Sequence, residues 1–115
     1  MPIFKILNFR NNPVRLESLI KEFIPKKLTG LLRVTFDACC GVIAFEEGVV
    51  VDGYEIFNNE LLVKDQDGYN ITERHKGDPG KIALYEVQRD VLHSFLRELQ
   101  EKPPAYHALL QSIAQ

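Results

Sequence analysis

The residue types that could carry chemistry are concentrated between positions 39 and 55. Two adjacent cysteines, Cys39 and Cys40, precede two carboxylates, Asp52 and Glu55. A catalytic thiol needs a helix N-terminus or a cation beside it, and acid–base catalysis needs two carboxyl groups in different environments. Asp37 rather than a base lies near the cysteines, which favours semi-buried structural cysteines. No third group marks Asp52 and Glu55 as an acid–base pair, which favours a solvated strand end for these two carboxylates. A small-molecule site or a minor enzymatic activity that uses these four residues is the alternative.

Short motifs elsewhere resemble ligand loops but lack essential residues. The sequence DQDG at 65–68 has Val63 where a calcium loop needs an oxygen ligand, and Arg74 where it needs the distal glutamate. The sequence GDPGK at 77–81 has His75 and Ile82 at two required P-loop positions. No zinc-type cysteine spacing occurs. The sequence therefore predicts no metal, no cofactor and no catalytic residue.

The composition argues against several classes of protein. The 115 residues suit a single domain, 1–115, and their 45% hydrophobic and 26% charged residues are typical of globular proteins. A net charge of −2 without a basic stripe argues against nucleic-acid binding. No apolar run approaches the ~20 residues that cross a membrane. Because there is also no signal-peptide pattern and no spaced cysteine pair, the expected location is the cytoplasm.

The stretch CCGVIAFEEGVVVDG, residues 39–53, predicts a β-hairpin. The expected turn spans residues 46–48, with only Gly48 in the left-handed conformation, because a glutamate resists positive φ. This register pairs Phe45 with Val49 and buries both. The predicted core face comprises Ile43, Phe45, Val49 and Val51.

Apolar alternation predicts further strands. The segments 3–9 and 31–36 read as strands, and 60–72 reads as a second hairpin around residues 65–68. The polar residues after position 72 predict a loop. The segment that begins at residue 81 predicts a strand running into a helix.

Helical spacing predicts three helices. The first starts at Pro13 and stops before Pro25, the second covers 91–99, and a short third follows the Pro103-Pro104 break. The third carries an apolar stripe of Tyr106, Leu109, Leu110 and Ile113. The predicted fold is α+β: an antiparallel β-meander with one N-terminal helix and two C-terminal helices.

Residues 28–55 resemble the PATAN domain of bacterial signalling proteins. That family's core reads roughly Leu-x-Gly-x-Leu-x-Val, a short gap, then Gly-x-Ile-x-Phe-x-x-Gly-x-Ile-Val-x-Ala, where the last position here is Gly53. The matching positions are Leu28, Gly30, Leu32, Val34, Gly41, Ile43, Phe45, Gly48, Val50 and Val51. The resemblance implies a non-enzymatic module, with no catalytic residue to carry over because the motif contains none.

The expected function is a protein–protein interaction module in prokaryotic signalling or GTPase-associated regulation. The resemblance implies a receiver domain or a small GTPase as partner. The contact surface is expected either at the exposed hairpin edge, by strand addition, or at the C-terminal stripe of Tyr106, Leu109, Leu110 and Ile113. A homodimer through either surface is a further expectation.

Overall fold

A computed structural model describes residues 3–7, 20–21, 26–58, 61–65, 67–77 and 80–101. Within these ranges, six strands and two helices of more than two residues follow one another along the chain. In order they are β1 (Ile3–Leu7), β2 (Gly30–Thr35), β3 (Cys39–Glu46), β4 (Val49–Phe57), β5 (Leu61–Lys64), α1 (Tyr69–Gly77), β6 (Lys81–Glu86) and α2 (Arg89–Glu101).

The described strands form one sheet in the order β1-β6-β2-β3-β4-β5, and every neighbouring pair is antiparallel. Strands β2 to β5 are a meander in which consecutive strands lie side by side. The chain then passes from β5 through α1, and β6 inserts between β1 and β2. This insertion leaves β5 at one edge of the sheet and β1 at the other.

Both faces of the sheet carry apolar side chains, because successive residues of a strand point to opposite sides. On the α2 face, the helix α2 closes a core of Leu31, Val42, Ala44, Tyr54, Ile56, Ala83, Tyr85, Val87, Leu92, Phe95, Leu96 and Leu99. On the α1 face, the core comprises Leu32, Val34, Phe36, Cys39, Ile43, Phe45, Ile71, Ile82 and Leu84. Strand β3 is buried on both sides, which explains its continuous apolar sequence.

The predicted layout of one N-terminal and two C-terminal helices is wrong. In the part of the chain that the structure describes, α1 and α2 both follow β5. The N-terminal helix predicted from Pro13 falls on residues outside the described ranges, apart from Ile20 and Lys21. The C-terminal stripe at 106–113 also lies outside them, so its role stays a prediction.

The predicted hairpin over 60–72 is wrong because α1 replaces its second strand. Asp65 is buried, and its two carboxylate oxygens accept hydrogen bonds from the backbone N–H groups of Asn70 and Ile71, at 3.0 Å each. Asp67 accepts one from the N–H of Tyr69 at 3.2 Å. These carboxylates satisfy N–H groups that a helix start leaves without partners. The aspartates are therefore helix caps rather than a hairpin tip.

The hairpin around Gly48 is confirmed, but its predicted turn is wrong. Glu46 pairs with Val49, so the turn has two residues, and both have positive φ: 51° at Glu47 and 85° at Gly48. Contacts from an earlier segment hold this conformation. The N–H of Gly48 donates to the Leu28 carbonyl at 2.6 Å, and the N–H of Glu47 donates to Thr29 Oγ1 at 3.0 Å.

A β-bulge follows the turn and changes the predicted core face. Ala44 pairs with Asp52 while Phe45 pairs with Val50, which leaves Val51 as the extra residue of β4. Ile43 and Phe45 are fully buried, as predicted, whereas Val49 is 59% and Val51 44% exposed. Two further predictions are confirmed: the strand over 31–36, which is β2, and the strand running into a helix, which is β6 followed by α2.

Candidate functional site

The sheet separates the four residues that could carry chemistry. Asp52 pairs with Ala44 of the α2-face core, whereas Glu55 pairs with Gly41, beneath Ile71 of α1. Cys39 is buried in the α1-face core, and Cys40 packs against the α2-face core. Adjacent residues of a strand point to opposite sides, so neither the cysteines nor the two carboxylates form a pair.

Asp52 takes part in a hydrogen-bond network that attaches the end of α2 to β4. The Tyr54 hydroxyl donates to Asp52 Oδ2 at 2.8 Å and accepts from Gln100 Nε2 at 2.6 Å. Asp52 Oδ1 accepts from the Gly53 N–H at 2.9 Å and lies 3.7 Å from Lys64 Nζ. Burial, and then the hydrogen bond to Asp52, raise the pKa of Tyr54 to about 12. At neutral pH this phenol is a fixed hydrogen-bond donor.

Glu55 is held by a cation from α1. Its Oε2 accepts from Arg74 Nη2 at 3.1 Å and from Arg74 Nε at 3.3 Å. The Arg74 guanidinium also lies over two aromatic rings, 5.9 Å from the centroid of Phe36 and 5.7 Å from that of Phe57. Since the Glu55 side chain is only 5% exposed, its charge is neutralised within the fold. This carboxylate therefore fixes α1 on the sheet.

The described residues do not assemble a metal centre around the cysteines. No group of three or more His, Cys, Asp or Glu residues there is placed to hold a metal ion. The Sγ of Cys40 lies 3.6 Å from Thr35 Oγ1. A shallow cleft of about 310 Å³ opens nearby, but none of the four candidate residues lines it. Its lining residues are Thr35, Phe36, Asp37, Gly80 and Lys81.

Exposed apolar side chains mark a different region, the β5 side of the sheet. Five large hydrophobic residues are exposed in the described ranges. Four of them lie in this region, and Tyr69 lies elsewhere; the four are Val49, Val51, Leu61 and Val63. Strand β5 pairs with Tyr54–Phe57 only, so the first residues of β4 extend beyond its end. We refer to residues 49–52 and 61–64 together as the β4–β5 edge.

The backbone of β5 presents hydrogen-bonding groups on the side where no described strand pairs with it. The N–H of Asp65 donates to the Gly53 carbonyl at 2.8 Å, in register with the pairs of β4 and β5. Hydrogen-bonded and non-hydrogen-bonded pairs alternate in an antiparallel ladder. Val63 and Leu61 therefore bond to β4, whereas the N–H and C=O groups of Leu62 and Lys64 point away from it.

The two faces of β5 differ in polarity. Leu61 and Val63 lie opposite Phe57 and Glu55 on the α1 face, next to the Arg74 guanidinium. Lys64 lies opposite Tyr54 on the α2 face, where Leu62 is half-buried against the α2-face core. An incoming strand would meet an exposed apolar row on one face, and a half-buried leucine and a paired cation on the other.

Comparisons with known proteins return no relative: no family model, curated protein or solved structure matches this chain. The resemblance to the PATAN domain therefore stays a prediction. No helix in the described ranges has the length and apolar character needed to span a membrane.

Proposed function

We propose that this protein is a non-enzymatic interaction module that accepts an extended segment of a partner protein along its β4–β5 edge. The observation that supports the proposal is the coincidence of two features at one place. The outward N–H and C=O groups of Leu62 and Lys64 alternate along β5 with the exposed apolar side chains of Leu61 and Val63. Strand addition uses this combination, since the main chain supplies affinity and alternate side chains supply specificity.

The magnitudes favour a transient contact. Each apolar side chain that becomes fully buried contributes about 1.5–3 kcal/mol, and each backbone hydrogen bond contributes about 0.5–1.5 kcal/mol net. Immobilisation of the partner offsets much of this gain. Strand β5 offers only four residues, so its interface falls below the ~1,200 Å² of stable complexes. A regulatory contact that forms and dissociates is consistent with such an edge.

The resemblance to the PATAN domain supports the choice of partner. It covers residues 28–55, which include β2, β3 and most of β4. The partner class it suggests is a receiver domain or a small GTPase in the cytoplasm of a prokaryote. The function we propose is therefore regulation of signalling through protein–protein contact rather than catalysis.

Substitution of Lys64 tests the proposal. A proline at position 64 removes the outward N–H but none of the hydrogen bonds to β4, and proline is tolerated on edge strands. Lys64→Ala is the matched control, because it removes the same side chain and keeps the N–H. Purified receiver domains and small GTPases, identified by capture from a prokaryotic lysate, would be titrated against the wild type and both variants. We expect Lys64→Ala to bind like the wild type and Lys64→Pro at least about tenfold more weakly.

Equal binding by all three proteins would contradict the proposal. Circular dichroism and thermal unfolding verify that each variant keeps its fold. A partner that binds Lys64→Pro normally must use another surface, such as the C-terminal stripe at 106–113.

A further inference from the structure

We propose that a second copy of this chain occupies the β4–β5 edge, so that two sheets join in antiparallel fashion across a two-fold axis. This inference rests on the proposed function of that edge as a strand acceptor. It adds a second copy of this chain as an alternative occupant of the edge, and the register of that contact.

The outward N–H and C=O groups of β5 can pair with the same groups of a second copy. The outward-facing residues, Leu62 and Lys64, are separated by one position, Val63. If Leu62 lies opposite Lys64 of the second copy, the same pairing recurs on the other side of the axis. This register forms about four backbone hydrogen bonds from groups that β4 does not use. It places Val63 on the two-fold axis, opposite its own counterpart.

The same register brings the exposed apolar side chains of the two copies together on one face of the joined sheet. A two-fold axis perpendicular to the sheet keeps the α1 faces of both copies on one side. Val63 of each copy then forms a non-hydrogen-bonded pair, in which side chains approach most closely and Cα atoms lie ~4.5 Å apart. Leu61 of each copy, which is 59% exposed in one chain alone, extends the shared apolar row.

Charge opposes this contact only weakly. Sheet edges usually avoid self-pairing through charged side chains, prolines or bulges. Strand β5 carries one charged residue, Lys64, and its ammonium lies 3.7 Å from Asp52 of the same chain. The bulge at Val51 lies on β4, beyond the end of β5. Among the described residues of this edge, Lys64 is therefore the main protection against a second copy, and its charge is partly balanced by Asp52.

The short strand limits the strength of the dimer. An interface smaller than ~1,200 Å² is typical of weak complexes. We therefore expect a dissociation constant on the order of tens to hundreds of micromolar and a monomer–dimer equilibrium that depends on concentration.

Sedimentation velocity of the full chain tests the dimer. Wild type and Lys64→Ala should sediment as monomers at about one tenth of that dissociation constant and mainly as dimers at about ten times it. Lys64→Pro should stay monomeric at every concentration. A wild type that is monomeric throughout, or a Lys64→Pro variant that dimerises normally, would overturn the proposal.

Disulfide cross-linking tests the register. In this register residue 63 of one copy lies next to residue 63 of the other, so Val63→Cys should form a covalent dimer under mild oxidation. Leu61→Cys is the matched control: its side chain is more exposed, but two positions separate it from the axis. We expect at least about tenfold faster cross-linking at position 63, with the wild type as the background for Cys39 and Cys40. Faster cross-linking at position 61 would overturn this register.

The outcomes separate this inference from the proposed function. If the wild type is monomeric but Lys64→Pro loses a captured receiver domain or GTPase, the dimer is wrong and the interaction module stands. If Lys64→Pro changes neither self-association nor partner binding, both are wrong. Should the cysteine variants fail to fold, the sedimentation of wild type, Lys64→Ala and Lys64→Pro still decides the dimer.

Discussion

Helices α1 and α2 cover opposite faces of one sheet, and different interactions hold them there. Helix α2 packs through a stripe of four buried apolar residues: Leu92, Phe95, Leu96 and Leu99. In α1 the buried residues are Ile71, Thr72 and His75, so one of the three is aliphatic. The Asp65 cap and the Glu55–Arg74 ion pair supplement this contact. One helix thus depends on the hydrophobic effect and the other on a few polar contacts.

This difference implies that the two faces respond to substitution in different ways. The α2 contact is spread over many apolar atoms, so truncation should cost free energy in proportion to the volume removed. The α1 contact depends on charges and hydrogen bonds, whose loss leaves a buried partner unsatisfied. Substitutions on the two faces test this comparison.

Truncation on the α2 face should have the largest effect. Leu99 is fully buried, and Leu99→Ala should lower the free energy of unfolding by about 2–5 kcal/mol, because it removes apolar contacts and leaves a cavity. Urea denaturation measures the change. The exposed neighbour Glu98 provides the control, since Glu98→Ala should stay within about 0.5 kcal/mol. A loss at Leu99 of less than about 1 kcal/mol would show that α2 is not held by its stripe.

Removal of the cation from the α1 face should have the next largest effect. Arg74→Ala leaves the buried Glu55 carboxylate unpaired and should cost about 2–3 kcal/mol, below the usual range for a buried pair because the Arg74 side chain is 37% exposed. The double variant Glu55→Gln/Arg74→Ala should be more stable than Arg74→Ala, since no buried charge remains. Equal stabilities of the single and double variants, measured by urea denaturation, would contradict a role for the charge.

Loss of the helix cap should destabilise α1 selectively. Asp65→Ala removes the acceptors of the Asn70 and Ile71 N–H groups and should cost about 1–2 kcal/mol. Amide hydrogen exchange should increase in residues 69–77 more than in 89–101. Asp65→Asn keeps one carbonyl acceptor and should retain most of the protection. A uniform increase across both helices would argue against a local cap.

Tyr54→Phe should have the smallest effect at neutral pH, about 1 kcal/mol, because it removes the hydroxyl that joins Asp52 and Gln100. Alkaline titration sharpens this test. The pKa of Tyr54 is about 12 in the fold and about 10 in the unfolded chain, so its stabilising contribution is complete below pH 10 and is lost as the pH rises to 12.

The pH dependence separates Tyr54 from other groups that titrate in the alkaline range. Between pH 10 and 12 the wild type should lose about 2 kcal/mol more than Tyr54→Phe does. Burial also raises the pKa of Tyr85, and this residue contributes equally to both proteins. Parallel stability curves for the two proteins, measured by urea denaturation at each pH, would contradict the assignment.

The same contrast explains which elements could be predicted from the sequence. Apolar residues at helical spacing predict helix α2, and the alternation of apolar and polar side chains predicts β2. Helix α1 has one apolar anchor, Ile71, and its capping aspartates are also typical of hairpin tips. Ile71 packs onto Gly41, where a β-carbon would lie 2.7 Å from Ile71 Cγ1. Such a contact between distant positions leaves no periodic signal.

The candidate site could be predicted only in part for a similar reason. The segment at 61–64 reads as a strand, but its position at an edge follows from the placement of β6 between β1 and β2. The turn at Glu47 depends on acceptors supplied by Leu28 and Thr29. Its bulge then exposes Val49 and Val51, which alternation alone would bury. Tertiary contacts in both places override the local preference.

The strand order also bears on how the chain folds as the ribosome makes it. Strand β1 emerges first, yet its sheet neighbour is β6, and Ile3 pairs with Glu86. At about 5–20 residues per second, translation delays this pairing by several seconds after β1 leaves the exit tunnel. The meander of β2 to β5 can form in that interval from neighbours in sequence. Nascent β1 therefore has no sheet neighbour until β6 is synthesised. During that interval a chaperone that binds apolar segments could bind Ile3–Leu7.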